Sequence, residues 1–388
     1  MKKKILAFVA VMIVAVIVFS FGARIARADE KETIGFSVNA KAFLLTDFDG
    51  TTEIGSAGKN ERLPIASMVK IMTLDLIFEK IDEGVLSLDE DIHVSENASS
   101  MGGSQAFLDA GAVYKAEELI KSIIVASAND SCVAMAEHIA GSVEGFVDKM
   151  NDKARELGMK NTNFVNCTGL PAPDEYSSAA DVAVMSRDLM RHEKFFDYSG
   201  IWMFDFVHPG GRVTTLTNTN KLSRFYKGCD GGKTGFTSEA LSCLSATAKR
   251  GDTRLLCVVI GAPSSKERNA EVTKLLNYGF ANYESKKIFS FDDMNEFTLR
   301  LQKGKSEKLK LKAGREAFDF ERKNRPEKEF TFNFVEERCE APIKEGEKVG
   351  MMEIYKNGEL YDSIEVFAAE SVELRDFMDY LREIADKW

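Results

Sequence analysis

The sequence predicts an α+β protein with an antiparallel sheet, helices on both faces of that sheet and a helical subdomain. A small all-β domain and a C-terminal amphipathic helix follow. Three observations predict this: β-prone segments flank a long helical stretch, short alternating strands come after it, and the chain is long for a single core. Its 388 residues are 44% hydrophobic and 29% charged, as in ordinary globular proteins. We expect four segments: 1–28, 29–286, 287–370 and 371–388.

The first segment, 1–28, indicates export rather than fold. Three lysines at positions 2–4 precede an apolar run over 5–21, and Ala-Arg-Ala at 26–28 has the small-x-small form of a signal-peptidase site. The run is nearly long enough to span a bilayer, so an uncleaved anchor stays open beside a signal peptide cleaved after Ala28. Both alternatives place the protein at the extracytoplasmic face of the membrane or in the cell wall.

The second segment opens with two strands and a helix. Apolar and alternating residues predict a strand over 36–47, closed by an Asp-Phe-Asp-Gly turn, and a second strand near 52–56. Pro64 then introduces a helix over 66–80, whose apolar residues are spaced to bury one face. Ser67 therefore lies in the first turn of this helix.

A helical block follows, and a hairpin returns the chain to the sheet. Two predicted helices, 117–126 and 131–140, flank Ser127-Ala128-Asn129, and Asp130 fits the N-cap of the second. An Arg-Gly-Asp turn at 250–252 separates two β-prone runs. The remaining predicted elements are helices over 143–157, 179–191 and 266–284, and strands over 235–249 and 253–260.

The composition changes near Lys287, where short alternating strands predict a small all-β domain. The Asn357-Gly358 pair is a strong hairpin signal. The predicted strands of this domain cover 297–301, 308–311, 330–335, 351–355 and 360–366.

Residues 371–388, from Ser371 to Trp388, form a candidate amphipathic helix. They contain five acids and three bases, which weakens attraction to anionic lipid. Two alternatives stay open: a helix bound to the membrane surface, and an ordinary helix packed on the β domain. The shared apolar face consists of Leu374, Met378, Leu381, Ala385 and Trp388.

Three short motifs occur in the second segment, each in a suitable structural context. One opens a helix, one lies between two helices, and one opens a strand. Each is weak by itself, but the set in this order is a strong signal for nucleophilic serine catalysis. The motifs are Ser67-x-x-Lys70, Ser127-x-Asn129 and Lys233-Thr234-Gly235.

The first motif combines a nucleophile with a base. Residues three apart on a helix share a face, so the Lys70 amine lies within reach of the Ser67 hydroxyl. Serine is a poor nucleophile until a base removes its proton. Lysine serves as that base only if its pKa falls, and we expect partial burial and the nearby cation Lys233 to favour the neutral amine.

The other motifs supply candidates for proton relay and substrate binding. Ser127 can relay a proton to the leaving amine, and the Asn129 amide can hold Lys70 and the substrate backbone. Taken alone, however, Ser-x-Asn is equally typical of a turn or cap between two helices. Lys233 and Thr234 offer a cation and a hydroxyl to a terminal carboxylate. Gly235 leaves room for a peptide to lie along the strand.

An oxyanion hole is the natural companion of this arrangement. The backbone N–H groups of Ser67 and Phe236 are its candidate donors, with the helix N-terminus adding to the field.

These motifs resemble those of the serine-type D-alanyl-D-alanine carboxypeptidases, the low-molecular-mass penicillin-binding proteins. The likeness covers about 34–285 and includes the segments 64–73, 163–166, 169–170, 178–183, 218–222 and 230–237. It implies a β-lactamase/DD-peptidase-like domain over 29–286, a β-rich domain over 287–370 and often a C-terminal membrane anchor. Several members carry His where this chain has Phe236, and some carry Arg where it has Thr219.

The resemblance also implies an activity. The enzyme would remove the terminal D-alanine of a peptidoglycan stem peptide ending in D-Ala-D-Ala through a Ser67 acyl-enzyme, with no cofactor and no metal. β-Lactams such as penicillin would inhibit it by acylating the same serine.

Two other functions stay open at this stage. A class A β-lactamase shares the nucleophile but needs a glutamate in the following loop, and between Asn161 and Asp174 the only acid is Asp174. A non-catalytic β-lactam-sensing or wall-binding module would not need both Lys70 and Lys233.

Charge and composition argue against other classes of protein. A formal net charge of −10 argues against a nucleic-acid partner. The four histidines are far apart in the sequence, which argues against a zinc site. The six cysteines lie in apolar stretches without framework spacing, and we expect them to be small buried hydrophobes.

Overall fold

A five-stranded antiparallel sheet brings together distant parts of the chain. The computed structural model describes residues 34–326 and 328–386. Up to residue 262 its strands are β1 (Ala42–Asp47), β2 (Glu53–Ala57), β3 (Asp91–His93), β4 (Val113–Lys115), β5 (Met203–Val207), β6 (Val213–Thr217), β7 (Cys229–Thr237), β8 (Leu241–Arg250) and β9 (Thr253–Ala262). The sheet has the order β2-β1-β9-β8-β7, while β3 pairs with β4 and β5 with β6.

Helices cover both faces of this sheet, as predicted. They are α1 (Lys70–Asp82), α2 (Glu96–Ser99), α3 (Ala116–Ala126), α4 (Asn129–Ala140), α5 (Val143–Glu156), α6 (Ala179–Leu189), α7 (Phe195–Ser199), α8 (Leu222–Phe225) and α9 (Ser265–Asn282). Ser186 of α6 is hydrogen-bonded to Ser245 of β8 at 2.7 Å. On α9, a Cβ at Gly279 would lie 2.5 Å from Leu255 of β9. Because side chains alternate along strands and Ser245 pairs with Val258, Ser245 and Leu255 point to opposite faces.

Three predictions about this region were wrong in detail. The strand predicted over 36–47 begins only at Ala42. The strand predicted over 235–249 is two strands, because the chain turns between β7 and β8 and Leu241 takes a φ of 58°. The motif Lys233-Thr234-Gly235 therefore lies inside β7 rather than at its start.

The two predicted helices around Ser127 exist, but Asp130 is not the N-cap of the second. Helix α4 begins at Asn129, and its N-cap is Ala128, whose side chain makes no capping bond. The Asp130 carboxylate instead accepts hydrogen bonds from the backbone N–H groups of Ala106 and Leu108 at 3.0 and 3.1 Å. It thereby fixes the loop before β4 against the start of α4.

The C-terminal part forms the predicted small β structure with a core of its own. Its strands are β10 (Tyr283–Phe289), β11 (Thr298–Arg300), β12 (Lys308–Ala313), β13 (Ala317–Arg322), β14 (Phe330–Glu336), β15 (Lys348–Lys356) and β16 (Glu359–Ala368). The main sheet has the order β11-β12-β16-β15-β14, and β10 pairs with β13. Asn357 and Gly358 both take positive φ, 52° and 84°, which gives the predicted hairpin turn.

The last helix, α10 (Phe377–Asp386), starts later than predicted. Val372 is bridged to Ile343 and Leu374 to Gly304, so the chain is still extended there. Leu374 therefore lies outside the helix, Leu381 is 42% exposed, and Trp388 lies outside the described residues. No helix in the described part of the chain is long and apolar enough to cross a membrane.

From Val38 onward the described residues form one compact unit. The segment boundaries at 286/287 and 370/371 stay predictions, and the signal segment 1–28 lies outside the described residues. Five of the cysteines are buried, as expected of small hydrophobes: Cys132, Cys167, Cys229, Cys243 and Cys257.

Candidate active site

Ser67 lies in a tight 3₁₀ turn, Ala66–Val69, that leads directly into α1. Ala66 takes a φ of 48°, a left-handed conformation that L-residues rarely adopt, so the surrounding structure must hold it. Two glycines allow the backbone to pack there. A Cβ at Gly235 would lie 2.5 Å from the Ile65 carbonyl oxygen, and one at Gly169 would collide with the Ala66 carbonyl.

Lys70 is completely buried, and its amine faces three oxygen atoms. Nζ lies 3.0 Å from Ser67 Oγ, 2.6 Å from Asn129 Oδ1 and 2.5 Å from the Thr168 carbonyl oxygen. A charged amine donates to all three. A neutral amine has two N–H donors, which suffice for Asn129 and Thr168, and its lone pair is then left to accept the Ser67 hydroxyl proton.

Burial is the main reason that Lys70 can be neutral. It lowers the pKa of Lys70, while the nearby acidic groups Cys132, Cys167, Glu175 and Asp130 act in the opposite direction when they are ionised. Burial, followed by the charge of Lys70, holds the pKa of Lys233 well below its usual range. The sequence argument expected partial burial and the cation Lys233 together to lower the Lys70 pKa. Burial is the largest cause, and it is complete rather than partial.

Ser127 and Lys233 form a second hydrogen-bonded pair. Helix α3 ends at Ser127, which takes a left-handed φ of 63°. Lys233 Nζ donates to Ser127 Oγ at 2.8 Å and to the Thr234 carbonyl at 3.0 Å. Asn129, two residues after Ser127, also donates from Nδ2 to the Gly102 carbonyl at 2.7 Å. The structure thus brings all three sequence motifs into one site.

The remaining candidates lie along β7. Thr234 Oγ1 donates to Thr219 Oγ1 at 2.8 Å, so Thr219 joins the site through this contact. The Phe236 side chain is 68% exposed and makes no proposed contribution to the site. The candidate contribution of this residue is its backbone N–H, as a donor to the oxyanion. Gly235 packs against the turn that carries Ser67.

Sequence reasoning missed the loop 163–176 as part of the site. This loop supplies the Thr168 carbonyl to Lys70 and the Cys167 carbonyl to Thr73 Oγ1, at 2.7 Å. Its acid Glu175 stands one residue beyond the stretch 161–174, in which Asp174 is the only acid. A contact made by a backbone carbonyl cannot be recognised from residue types in a sequence. The acid directly before Tyr176, however, is a residue-type signal that could have indicated the loop.

A cavity of about 560 Å³ opens beside the turn that carries Ser67. Its lining includes Pro64, Ala66, Gly169, Tyr176 and Thr237. It is large enough for the part of a peptide that precedes the bond under attack.

The fold and site define a class: serine acyl-transfer enzymes with two lysines at the site. Comparisons with known proteins specify the family. The profile described as D-alanyl-D-alanine carboxypeptidase matches residues 26–264, and that described as penicillin-binding protein 5, C-terminal domain, matches 283–374. The chain is 38% identical over 367 residues to the D-alanyl-D-alanine carboxypeptidase DacF of Bacillus subtilis, covering 94% of this chain and 93% of the relative.

Solved structures agree with this assignment. Penicillin-binding protein 5 of Haemophilus influenzae superposes with a TM-score of 0.66 at 29% identity, covering 87% of this chain and 98% of the other. DacD of Francisella tularensis superposes with a TM-score of 0.65 at 27% identity, covering 88% and 95%.

This chain belongs to the serine-type D-alanyl-D-alanine carboxypeptidase family. It is a hydrolase that acts on peptidoglycan, which lies outside the cytoplasm, and inhibition by penicillin is typical of the family.

Proposed function

We propose that Ser67 and Lys70 carry the carboxypeptidase reaction of this chain. Lys70 takes the Ser67 proton, and Ser67 Oγ bonds to the carbonyl carbon of the penultimate D-alanine. The C–N bond to the terminal D-alanine breaks, and the leaving amine receives a proton through Ser127. Water then hydrolyses the ester and releases the shortened peptide. The observation that carries this proposal is the 3.0 Å contact between Ser67 Oγ and an amine whose pKa is lowered by burial.

We assign substrate binding to β7 and its neighbours. Lys233 and Thr234 bind the terminal carboxylate, whose negative charge favours the charged form of Lys233. The backbone N–H groups of Ser67 and Phe236 stabilise the oxyanion, and Asn129 orients Lys70 and the substrate backbone. The acyl part of the stem peptide occupies the cavity beside Ala66.

The test compares two peptides that differ only at the carboxyl terminus. The enzyme is expected to release D-alanine from diacetyl-Lys-D-Ala-D-Ala. With the C-terminal amide of the same peptide, kcat/KM should fall by about two orders of magnitude, since the carboxylate contact is lost. Equal rates of cleavage would rule out the carboxylate clamp. Absence of D-alanine release from the free acid would rule out the reaction itself.

We further propose that the protein is exported through segment 1–28 and that α10 lies on the membrane surface. The apolar side chains of α10 are unusually exposed: Phe377 73%, Met378 54% and Ile384 57%. An ordinary helix packed on the β domain would bury such residues. N-terminal sequencing of the exported protein separates cleavage after Ala28 from a retained anchor.

The membrane proposal predicts binding to neutral vesicles, because the acidic helix gains little from anionic lipid. The full chain should sediment with phosphatidylcholine vesicles, and the double variant Phe377→Asp, Ile384→Asp should lose this binding. Val85→Asp is the matched control, since Val85 is 69% exposed in the turn that follows α1. Equal sedimentation of the double variant and the control would contradict the proposal.

A further inference from the structure

Glu175 is a partly buried acid that the proposed reaction does not use. Its Oε1 accepts the backbone N–H groups of Val165 and Asn166 at 3.3 and 3.1 Å. Its Oε2 accepts Asn166 Nδ2 at 3.1 Å. Three donors from one short stretch of chain therefore converge on this carboxylate, which fixes both the backbone and the side chain of Asn166.

Asn166 in turn shapes the backbone that contacts Lys70. Its Oδ1 accepts the backbone N–H groups of Thr168 and Gly169 at 2.9 and 2.6 Å, and the Thr168 hydroxyl at 2.8 Å. Its Nδ2 also donates to the Leu170 carbonyl at 2.9 Å. The loop is thereby folded so that the Thr168 carbonyl points at Lys70 Nζ, 2.5 Å away.

We infer that Glu175 is a positioning residue for acylation: through Asn166 it holds the Thr168 carbonyl on the Lys70 amine, and it places a negative charge near that amine. This inference rests on the proposed role of Lys70 as the base. It assigns no contact between Glu175 and the substrate, and no direct contact between Glu175 and Ser67.

Several titratable groups act on the Lys70 amine. Cys132 and Asp130 belong to α4, and Lys233 belongs to β7. The loop 163–176 contributes Cys167 and Glu175. Burial raises the pKa of Cys132 to about 11, and that of Cys167 further, so both thiols are neutral near pH 7. The carboxylates are therefore the negative charges that oppose the effect of burial on the Lys70 pKa.

The charge of Glu175 affects the Lys70 pKa in a known direction. A carboxylate near Lys70 favours the charged amine and raises the Lys70 pKa. Removing the charge lowers that pKa, so the neutral base persists to lower pH. The low-pH limb of the acylation rate, where Lys70 becomes protonated, should then move to lower pH.

The test measures the second-order rate of acylation by a fluorescent penicillin from pH 5 to 9 in the full chain. Glu175→Gln keeps an oxygen for the two backbone donors but loses the charge and the bond from Asn166 Nδ2, which retains the Leu170 carbonyl as acceptor. Its rate at high pH should stay within about threefold of wild type, and its low-pH limb should move down by about 0.5 to 1 unit. Glu175→Ala loses the hydrogen bonds as well and should acylate at least about tenfold more slowly at high pH, where Lys70 is neutral in both proteins.

Asp174→Asn is the matched control, because it removes one charge from the neighbouring position. Asp174 is exposed and takes a φ of 63°, which asparagine tolerates. The low-pH limb of this control should coincide with that of wild type.

The inference would be overturned if the low-pH limbs of Glu175→Gln and Asp174→Asn coincide, or if Glu175→Ala acylates at the wild-type rate. If Glu175→Ala does not fold, the position of the low-pH limb of Glu175→Gln decides whether the inference holds. Failure of wild type to acylate would instead overturn the proposed role of Ser67.

Discussion

Replacing Ser67 with alanine is expected to abolish covalent labelling by penicillin and release of D-alanine. The substitution removes one oxygen atom, the nucleophile, and leaves the 3₁₀ turn and the Lys70 contacts to Asn129 and Thr168 in place. Without that oxygen no ester forms, so we expect a loss of at least about three orders of magnitude. Fluorescent penicillin on a denaturing gel measures the label, and a coupled D-alanine assay measures turnover.

Ser99→Ala is the control for this experiment. Ser99 belongs to α2, and its hydroxyl bonds the Glu96 carbonyl of the same short helix. This variant should label and turn over like wild type. Persistent covalent labelling of Ser67→Ala would show that a different residue is the nucleophile.

Replacing Lys70 with alanine is expected to slow acylation by about two orders of magnitude or more, as loss of a general base should. The chain should still fold, because water can occupy the space beside Asn129 Oδ1 and the Thr168 carbonyl. The pH dependence should change as well. Burial lowers the Lys70 pKa, so the wild-type rate rises as the pH rises through that value, whereas the variant lacks this limb.

Lys80→Ala provides a matched control on the same helix. Lys80 is paired with Glu83 at 2.5 Å near the end of α1. Its removal should leave both the rate and the pH profile of acylation unchanged, and circular dichroism should show that both variants fold. A Lys70→Ala variant that acylates within tenfold of wild type, with the same low-pH limb, would show that Lys70 is not the base.

The sequence allowed the Ser67 and Lys70 contact to be predicted because it is local. Three residues along a helix determine which side chains meet, whatever the rest of the fold does. The contacts of Lys70 with Asn129 and Thr168 join residues far apart in the chain. For Asn129 the family motif indicated the contact. For Thr168 only a backbone carbonyl is involved, and any residue type could supply it.

The predicted ends of strands and helices were wrong where tertiary contacts determine the boundary. The turn that separates β7 from β8 leads into a left-handed Leu241 at the start of β8, a conformation that a leucine side chain does not favour. The start of α10 is delayed because Val372 and Leu374 are bridged to Ile343 and Gly304. The hairpin of β5 and β6 was not among the predicted elements, although the Pro-Gly-Gly turn at 209–211 between its strands is a sequence signal for a hairpin.

Peptide mapping of the penicillin-treated full chain by mass spectrometry tests the central claim most directly. The reaction is stopped with acid, the protein is digested, and the modified residue is located by fragmentation. A single adduct on Ser67 is the expected result. An adduct on any other residue, or an unmodified Ser67 in a sample whose D-alanine release penicillin has stopped, would contradict the account.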